Sequence, residues 1–245
     1  MKTLNIEIHY FSNFTPSITT THAFKIMDEL KDLELFPQIY QEALPGGNPE
    51  QRFMFSNGVT GLTIRCQRDR VMLIQGLNPN LEKSELSNFN ETLNHLCSIM
   101  KRFASTLDKV FNREHTFNRL AIVSRHIEQE KFKEFLSNLN EIARSNLPWV
   151  EQQSKEITFR TGHRFDVDGE IYNEIVMIND GLMDMSSNGV SLTVSPCILV
   201  EIDVNSIPEN IDERFKANTA ESSINIICEK QMTTLSKVHG FVERA

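Results

Sequence analysis

The chain has 245 residues, of which 40% are hydrophobic and 24% charged, proportions that are ordinary for a globular protein. Its net charge of −8 argues against a nucleic-acid partner, because such binding depends on Lys and Arg side chains that neutralise phosphates. The sequence shows neither an apolar stretch of membrane-spanning length nor a signal-peptide pattern, so it predicts a cytoplasmic protein without a membrane partner.

The first part of the chain alternates between strand and helix patterns. Apolar and polar residues alternate over residues 4–10, which predicts a half-buried strand. The threonines at 19–21 are helix-capping residues and predict a helix over 21–33. A loop at 44–49 is rich in Pro and Gly, and an Asn-Gly turn follows at 57–58. Three strands are predicted around that turn, namely Arg52–Phe55, Val59–Cys66 and Arg70–Gln75.

The longest predicted helix spans residues 82–112. Its apolar residues recur at alternating spacings of three and four from Leu86 to Val110, a heptad pattern. One interpretation is an interface with a partner, and the other is a helix that lies across a sheet with this stripe buried. The lack of regular charge pairing beside the stripe favours burial. The candidate contact residues for an interface are Leu86, Phe89, Leu93, Met100 and Phe103.

The remainder of the chain restarts with a strand at Asn118–Ile127 and a helix at 129–146. A final helix is predicted over 209–237, with Pro208 in its first turn. Several strands are predicted between these helices, namely Ile157–Phe165, Glu170–Ile178, a strand near 182–186, Val190–Val194 and Cys197–Val204.

A short segment of the chain occurs twice. Residues 54–59 and residues 185–190 agree at five of six positions, with an offset of 131 residues. The sequence therefore predicts an internally duplicated α+β protein. Its two pseudo-symmetric halves, residues 1–114 and 115–245, would each be a twisted antiparallel sheet backed by a long helix. The same offset predicts that residues 51–98 superpose on residues 182–229.

The four cysteines also obey the offset, because it carries Cys66 onto Cys197 and Cys97 onto Cys228. Without any CxxC spacing, they are predicted to be buried, reduced thiols. The alternative is that Cys66–Cys97 and Cys197–Cys228 are equivalent disulfides or ligand pairs. No cofactor motif, catalytic motif or phosphate-binding loop is found, so no cofactor and no catalytic residue is predicted.

The order of elements resembles TATA-binding-protein-like and helix-grip topologies. The strand Asn118–Ile127 is similar to a central strand of a sporadically distributed bacterial family of unknown function, and Leu199–Val204 is similar to a late strand of that family. The patchy distribution of the family implies mobile two-gene systems, such as toxin–antitoxin or antiviral defence modules. The resemblance carries no catalytic residues.

Two polar clusters are candidate sites of chemistry. His163, Asp166, Asp168, Glu170 and Glu174 could hold a divalent metal, although Asp and Gly are also common in hairpin turns. Glu151, Lys155 and Glu156 loosely resemble a nuclease site when they are combined with the carboxylates at 166 and 170. Turn chemistry and solvation are the simpler interpretation of both clusters.

The compact basic patch Arg65, Arg68 and Arg70, with Arg52 nearby, is the remaining candidate contact surface. Its alternatives are an anion or acidic-protein contact and a solvated hairpin face. The sequence thus favours a non-catalytic protein that binds another protein or a second copy of itself, as the accessory member of a bacterial two-gene system. A small-ligand pocket protein and a metal-dependent enzyme at residues 163–174 are the alternatives.

Overall fold

A computed structural model describes residues 1–13, 16–43, 46–76, 86–146, 158–187, 190–217 and 220–244. The helices of these ranges are α1 (Thr20–Glu29), α2 (Leu86–Phe111), α3 (Phe132–Asn146) and α4 (Ala220–Arg244), with a short 3-10 helix at Lys31–Leu33. The strands are β1 (Lys2–Phe11), β2 (Phe36–Glu42), β3 (Glu50–Ser56), β4 (Leu62–Cys66), β5 (Arg70–Gly76), β6 (Thr116–Phe117), β7 (Arg119–Glu128), β8 (Thr158–Val167), β9 (Glu170–Ser187), β10 (Val190–Ser206) and β11 (Phe215–Lys216).

Nine strands form one antiparallel sheet in the order β2-β3-β4-β5-β1-β7-β10-β9-β8, and β6 and β11 form a separate pair. β1 and β7 lie side by side near the centre, where Ile8 is opposite Ile122. The sheet therefore continues across the predicted boundary at residue 114. The α+β class is confirmed, with a large antiparallel sheet as its main element.

The helices in the described ranges cover one face of the sheet. β1 presents Ile6, Ile8 and Tyr10 to them, and all three side chains are fully buried. The two long helices, α2 and α4, cross the central strands on this face, and Gln231 of α4 donates to the backbone carbonyl of Ile202 in β10 at 2.9 Å. None of these helices combines the length and the apolar character needed to cross a membrane.

The heptad stripe of α2 lies in the core of the chain itself. Phe89, Leu93, Met100 and Phe103 are buried among the strands and the neighbouring helices. The hypothesis that these four side chains contact a partner is therefore wrong, because a side chain that covers its own sheet cannot face a second protein. The buried stripe agrees with the other interpretation, a helix that lies across a sheet. The side chain of Leu86 lies outside the described part of the chain.

β2 is a strand that was not predicted. It lies at one edge of the sheet and pairs with β3 alone. Its side chains are exposed or half-buried, so its sequence shows little alternation of apolar and polar residues. In addition, Pro37 lacks a backbone N–H. An edge strand tolerates both features, because one of its sides needs no hydrogen-bonding neighbour.

Between α3 and α4, the large sheet has fewer and longer strands than predicted. The expected breaks after Ile178 and Val194 are wrong, since both positions lie inside the continuous strands β9 and β10. β10 pairs with β7 only over Ile198–Asn205, and before that segment it pairs with β9 alone. Pro196 is tolerated there because this part of β10 has a neighbouring strand on one side only.

The last helix begins at Ala220 and not near residue 209. Arg214 occupies the segment where a helix was expected, and its guanidinium binds the Glu170 carboxylate at 2.8 and 2.9 Å. The same guanidinium donates to the backbone carbonyl of Asn118. These bonds, together with the β6–β11 pair, hold the segment in a non-helical conformation.

The offset of 131 residues connects some equivalent elements but not others. It carries α2 onto residues 217–242, most of which belong to α4. It also carries β4 and β5, which are two strands joined by a turn, onto the single uninterrupted strand β10. The expected superposition of residues 51–98 on residues 182–229 is therefore not confirmed.

All four cysteines are buried free thiols. The alternative pairs Cys66–Cys97 and Cys197–Cys228 are not formed. Instead, the thiols of Cys97 and Cys228 meet between α2 and α4, and this hydrogen bond raises the pKa of Cys97. The Cys228 thiol in turn donates to Oδ1 of Asn94 at 3.3 Å.

Candidate binding site on the helix-free face

The opposite side of the sheet, which we call the helix-free face, carries the alternate side chains of every strand. Because side chains of a strand point to opposite faces in turn, burying Ile6 and Ile8 of β1 under the helices places Glu7 and His9 on the helix-free face. The same rule places Arg125 of β7 and Asp203 of β10 there, since Ile122 and Ile202 are buried on the helix side.

Arg125 joins the three central strands on this face. Its guanidinium donates to Glu201 of β10 at 2.7 Å and to Glu7 of β1 at 2.5 Å. The imidazole of His9 lies 3.2 Å from the other oxygen of Glu7. The hydrogen bond with His9, followed by those with Arg125, lowers the pKa of Glu7 to about 2 against the opposing effect of burial. Glu7 is therefore ionised at neutral pH.

The pKa of a second carboxylate in this region is shifted in the opposite direction. Burial raises the pKa of Asp203, and the amide of Asn205, which donates to it at 2.8 Å, opposes that shift only in part. Two nearby buried nitrogens, Nδ1 of His9 and Nε of Arg119, have no hydrogen-bond partner in the described part of the chain. Buried polar atoms are normally satisfied, so these nitrogens mark places where a bound group would fit.

The predicted basic patch is only partly brought together. Arg65 lies on β4, exposed on the helix-free face, and Arg68 lies in the turn between β4 and β5. Arg70 begins β5 and stacks on the ring of Phe11, 4.9 Å from its centroid. Arg52 is neutralised by Glu42 and Glu50 at 3.0 and 2.5 Å.

Arg119 and Arg125 were missed in the sequence, although a signal for them existed. The strand Asn118–Ile127 alternates between apolar and polar residues, and its apolar positions Leu120 and Ile122 are those buried under the helices. Arg119 and Arg125 are out of phase with these positions, which assigns them to the solvent-facing side of the strand.

The hairpin cluster does not assemble as a metal site. His163 and Lys230 both bind the carboxylate of Glu174, at 2.9 and 3.0 Å. Glu170 binds Arg214 instead. Asp166 accepts the backbone N–H of Gly169 at 3.1 Å, which is ordinary turn chemistry.

Metal and nuclease chemistry find no support in the described ranges. Within them, no three His, Cys, Asp or Glu side chains are placed to hold a metal ion together. The metal hypothesis at residues 163–174 therefore stays a prediction. The nuclease-like residues Glu151, Lys155 and Glu156 lie outside the described part of the chain. The helix-free face carries fixed charges, guanidinium donors and partly exposed apolar side chains.

Comparison with known proteins assigns no relationship. No family model matches the chain, and no curated protein is significantly similar to it.

Proposed function

We propose that this is a non-catalytic binding protein whose helix-free face receives an acidic surface of a partner protein. The observation that carries the proposal is a local excess of unpaired arginines in a chain of net charge −8. Within the described ranges, no carboxylate forms an ion pair with Arg65, Arg68 or Arg160. The acidic side chains nearest to the centre of the face, Glu7 and Glu201, are both bound to Arg125. Unpaired cations of this kind complement an acidic surface.

The apolar side chains of the face favour a protein over a nucleic acid. Met54, Ile74 and Met177 are partly exposed among the charged side chains of this face. Methionine adapts readily to varied partner surfaces. Carboxylates are interleaved with the arginines on the central strands, and they would repel a phosphate backbone. An accessory role in a bacterial two-gene system, including antiviral defence, is the setting that we propose for such a partner.

The test is native mass spectrometry of the tagged chain, purified gently from its own host. The variant Arg65→Glu/Arg68→Glu reverses two charges on the proposed surface. The control Lys25→Glu/Lys31→Glu makes the same change in net charge at exposed positions in and just after α1, on the helix side. We expect a stoichiometric protein on the wild type and the control, and a loss of about tenfold or more in its occupancy on the Arg65/Arg68 variant.

Three results would contradict the proposal. They are a bare chain, a bound nucleic acid, and a protein partner that both variants retain equally. A bound mass of only a few hundred daltons would favour the small-ligand alternative.

We also propose that the two halves are related in topology, although not by a single offset of 131 residues. β1 and β7 are each followed by a helix, then by strands that begin at a sheet edge and return to the centre, then by a long helix. In an experimental structure, the rotation that overlays β1 on β7 should also overlay β5 on β10 and α2 on α4. A rotation that leaves α2 and α4 over different strands would refute this relationship.

A further inference from the structure

A cavity of about 350 Å³ opens where the central strands end on the helix-free face. Phe11, the last residue of β1, and Arg119, the first of β7, form one wall. Asn13, Asn118 and Asn210 line the rest together with Asp69, Ser12 and Pro208. A volume of this size matches the lower range of small-molecule sites in proteins.

Arg119 is the unusual group in this cavity. Its guanidinium lies 4.6 Å from the centroid of the Phe11 ring, which partly desolvates it. No described carboxylate forms an ion pair with it, and its buried Nε has no hydrogen-bond partner among the described residues. Burial lowers the pKa of Arg119, because the attraction of Asp203 and Glu209 offsets the lost hydration only in part. A partly buried cation without a direct ion pair is costly unless something binds it.

Among the described residues, no carboxylate near Arg119 forms an ion pair with it. Asp203, the carboxylate that acts on it most strongly, does so at longer range and accepts from the Asn205 amide at 2.8 Å. Asp69 accepts from Nε of Arg70 at 3.1 Å, and Glu209, which acts on Arg119 only at longer range, is paired with Arg164. Neither therefore neutralises Arg119 directly. Arg70 stacks on the same Phe11 ring, which lines the cavity.

The asparagines supply neutral donors beside the cation. Asn118 donates to Oδ1 of Asn13 at 2.8 Å, which orients both amides. Oδ1 of Asn210 accepts the backbone N–H of Asp212 at 3.1 Å, so its amide nitrogen is left as a donor. A planar guanidinium with adjacent amide donors offers more N–H groups than the two oxygens of a carboxylate can accept, and this arrangement suits the three oxygens of a phosphate monoester.

We propose that this cavity, with Arg119 as its anchor, binds the phosphate group of a small molecule. The site is independent of the proposed protein partner, because neither Arg65 nor Arg68 lines it. A phosphate could arrive as the free ion or as a monoester with a polar remainder, and both are recognised by the same donors.

The proposal is tested by titrating the full chain with inorganic phosphate and, separately, with glycerol 3-phosphate. Binding is followed by ³¹P NMR at constant ionic strength. We expect saturable binding of at least one probe, and tighter binding of the monoester if the asparagines contact hydroxyl groups. Arg119→Gln should weaken it by about tenfold or more, whereas Lys25→Gln, at an exposed position on α1 on the helix side, should leave it unchanged.

A second variant keeps the test informative if Arg119→Gln does not fold. Asn210→Asp retains the oxygen that accepts from Asp212 but adds a negative charge to the cavity, and we expect it to abolish binding. The proposal fails if neither probe binds the wild type saturably, or if folded Arg119→Gln or Asn210→Asp binds as well as the wild type. The Arg65→Glu/Arg68→Glu variant should bind the probes normally, so loss of the partner and loss of the phosphate site remain distinguishable.

Discussion

Phe103→Ala is expected to lower the free energy of unfolding by about 4 kcal/mol, a typical cost of removing a buried phenylalanine ring. Phe103 is 0% exposed and lies in the second half of α2, with its ring edge-on to Phe55 of β3 at 5.8 Å between centroids. The substitution leaves a cavity between helix and sheet that neighbouring side chains cannot easily fill. Urea unfolding followed by circular dichroism measures the loss.

Phe24→Ala is the matched control for this measurement. Phe24 lies on α1 but is 61% exposed, so we expect its removal to change stability by only about 0.5 kcal/mol or less. If α2 instead carried an interface, Phe103→Ala would shift an association equilibrium, and the unfolding midpoint would depend on protein concentration. A loss below about 1 kcal/mol, or a midpoint that varies with concentration, would contradict the buried position of Phe103.

Acid is expected to destabilise the fold through His126, with a slope of about 1.4 kcal/mol per pH unit from this one group. Its imidazole is buried beneath the helices, where Nδ1 lies 3.1 Å from Oγ1 of Thr3 and Nε2 lies 2.7 Å from Oγ of Ser124. The ring of Phe89 packs on it at 5.4 Å. Burial, assisted by the positive amino group of Met1, lowers the pKa of His126 to about 3.

The direction of this effect follows from the two pKa values. In the unfolded chain the imidazole binds a proton near pH 6.5, whereas in the folded chain it stays neutral down to about pH 3. Its contribution to stability is therefore fully present above pH 6.5 and decreases as the pH falls toward 3. Glu7 does not contribute in the upper part of this pH range. Its carboxyl takes up a proton only near pH 4.5 in the unfolded chain and near pH 2 in the folded one.

The measurement is urea unfolding at intervals between pH 7.5 and 4.5. His126→Gln should remove about 1.4 kcal/mol per pH unit from the slope, whatever it costs at pH 7. His95→Gln, an exposed position on α2, should keep the wild-type slope. Equal slopes for the wild type and His126→Gln would show that His126 is protonated in the folded chain and not held neutral by burial.

The sequence pattern is sufficient to identify the buried side of the principal elements. The alternation in β1 correctly separates Ile6 and Ile8 from Glu7, and the spacing of apolar residues in α2 identifies the stripe that packs on the sheet. These patterns are readable because strand and helix periods depend on neighbours a few residues apart. The choice between an interface and a core for that stripe needed the sheet, since both require the same periodicity.

The assembly of the candidate site depends on the order and register of the strands. Arg125 lies 118 residues from Glu7 and 76 residues from Glu201 in the sequence, and the three meet because β1, β7 and β10 are neighbours in a particular register. Arg119 reaches the cavity through the same pairing, which sets it beside Phe11. Such contacts depend on long-range strand order, which local periodicity does not encode, because a register shift of one residue would move each of these side chains to the other face.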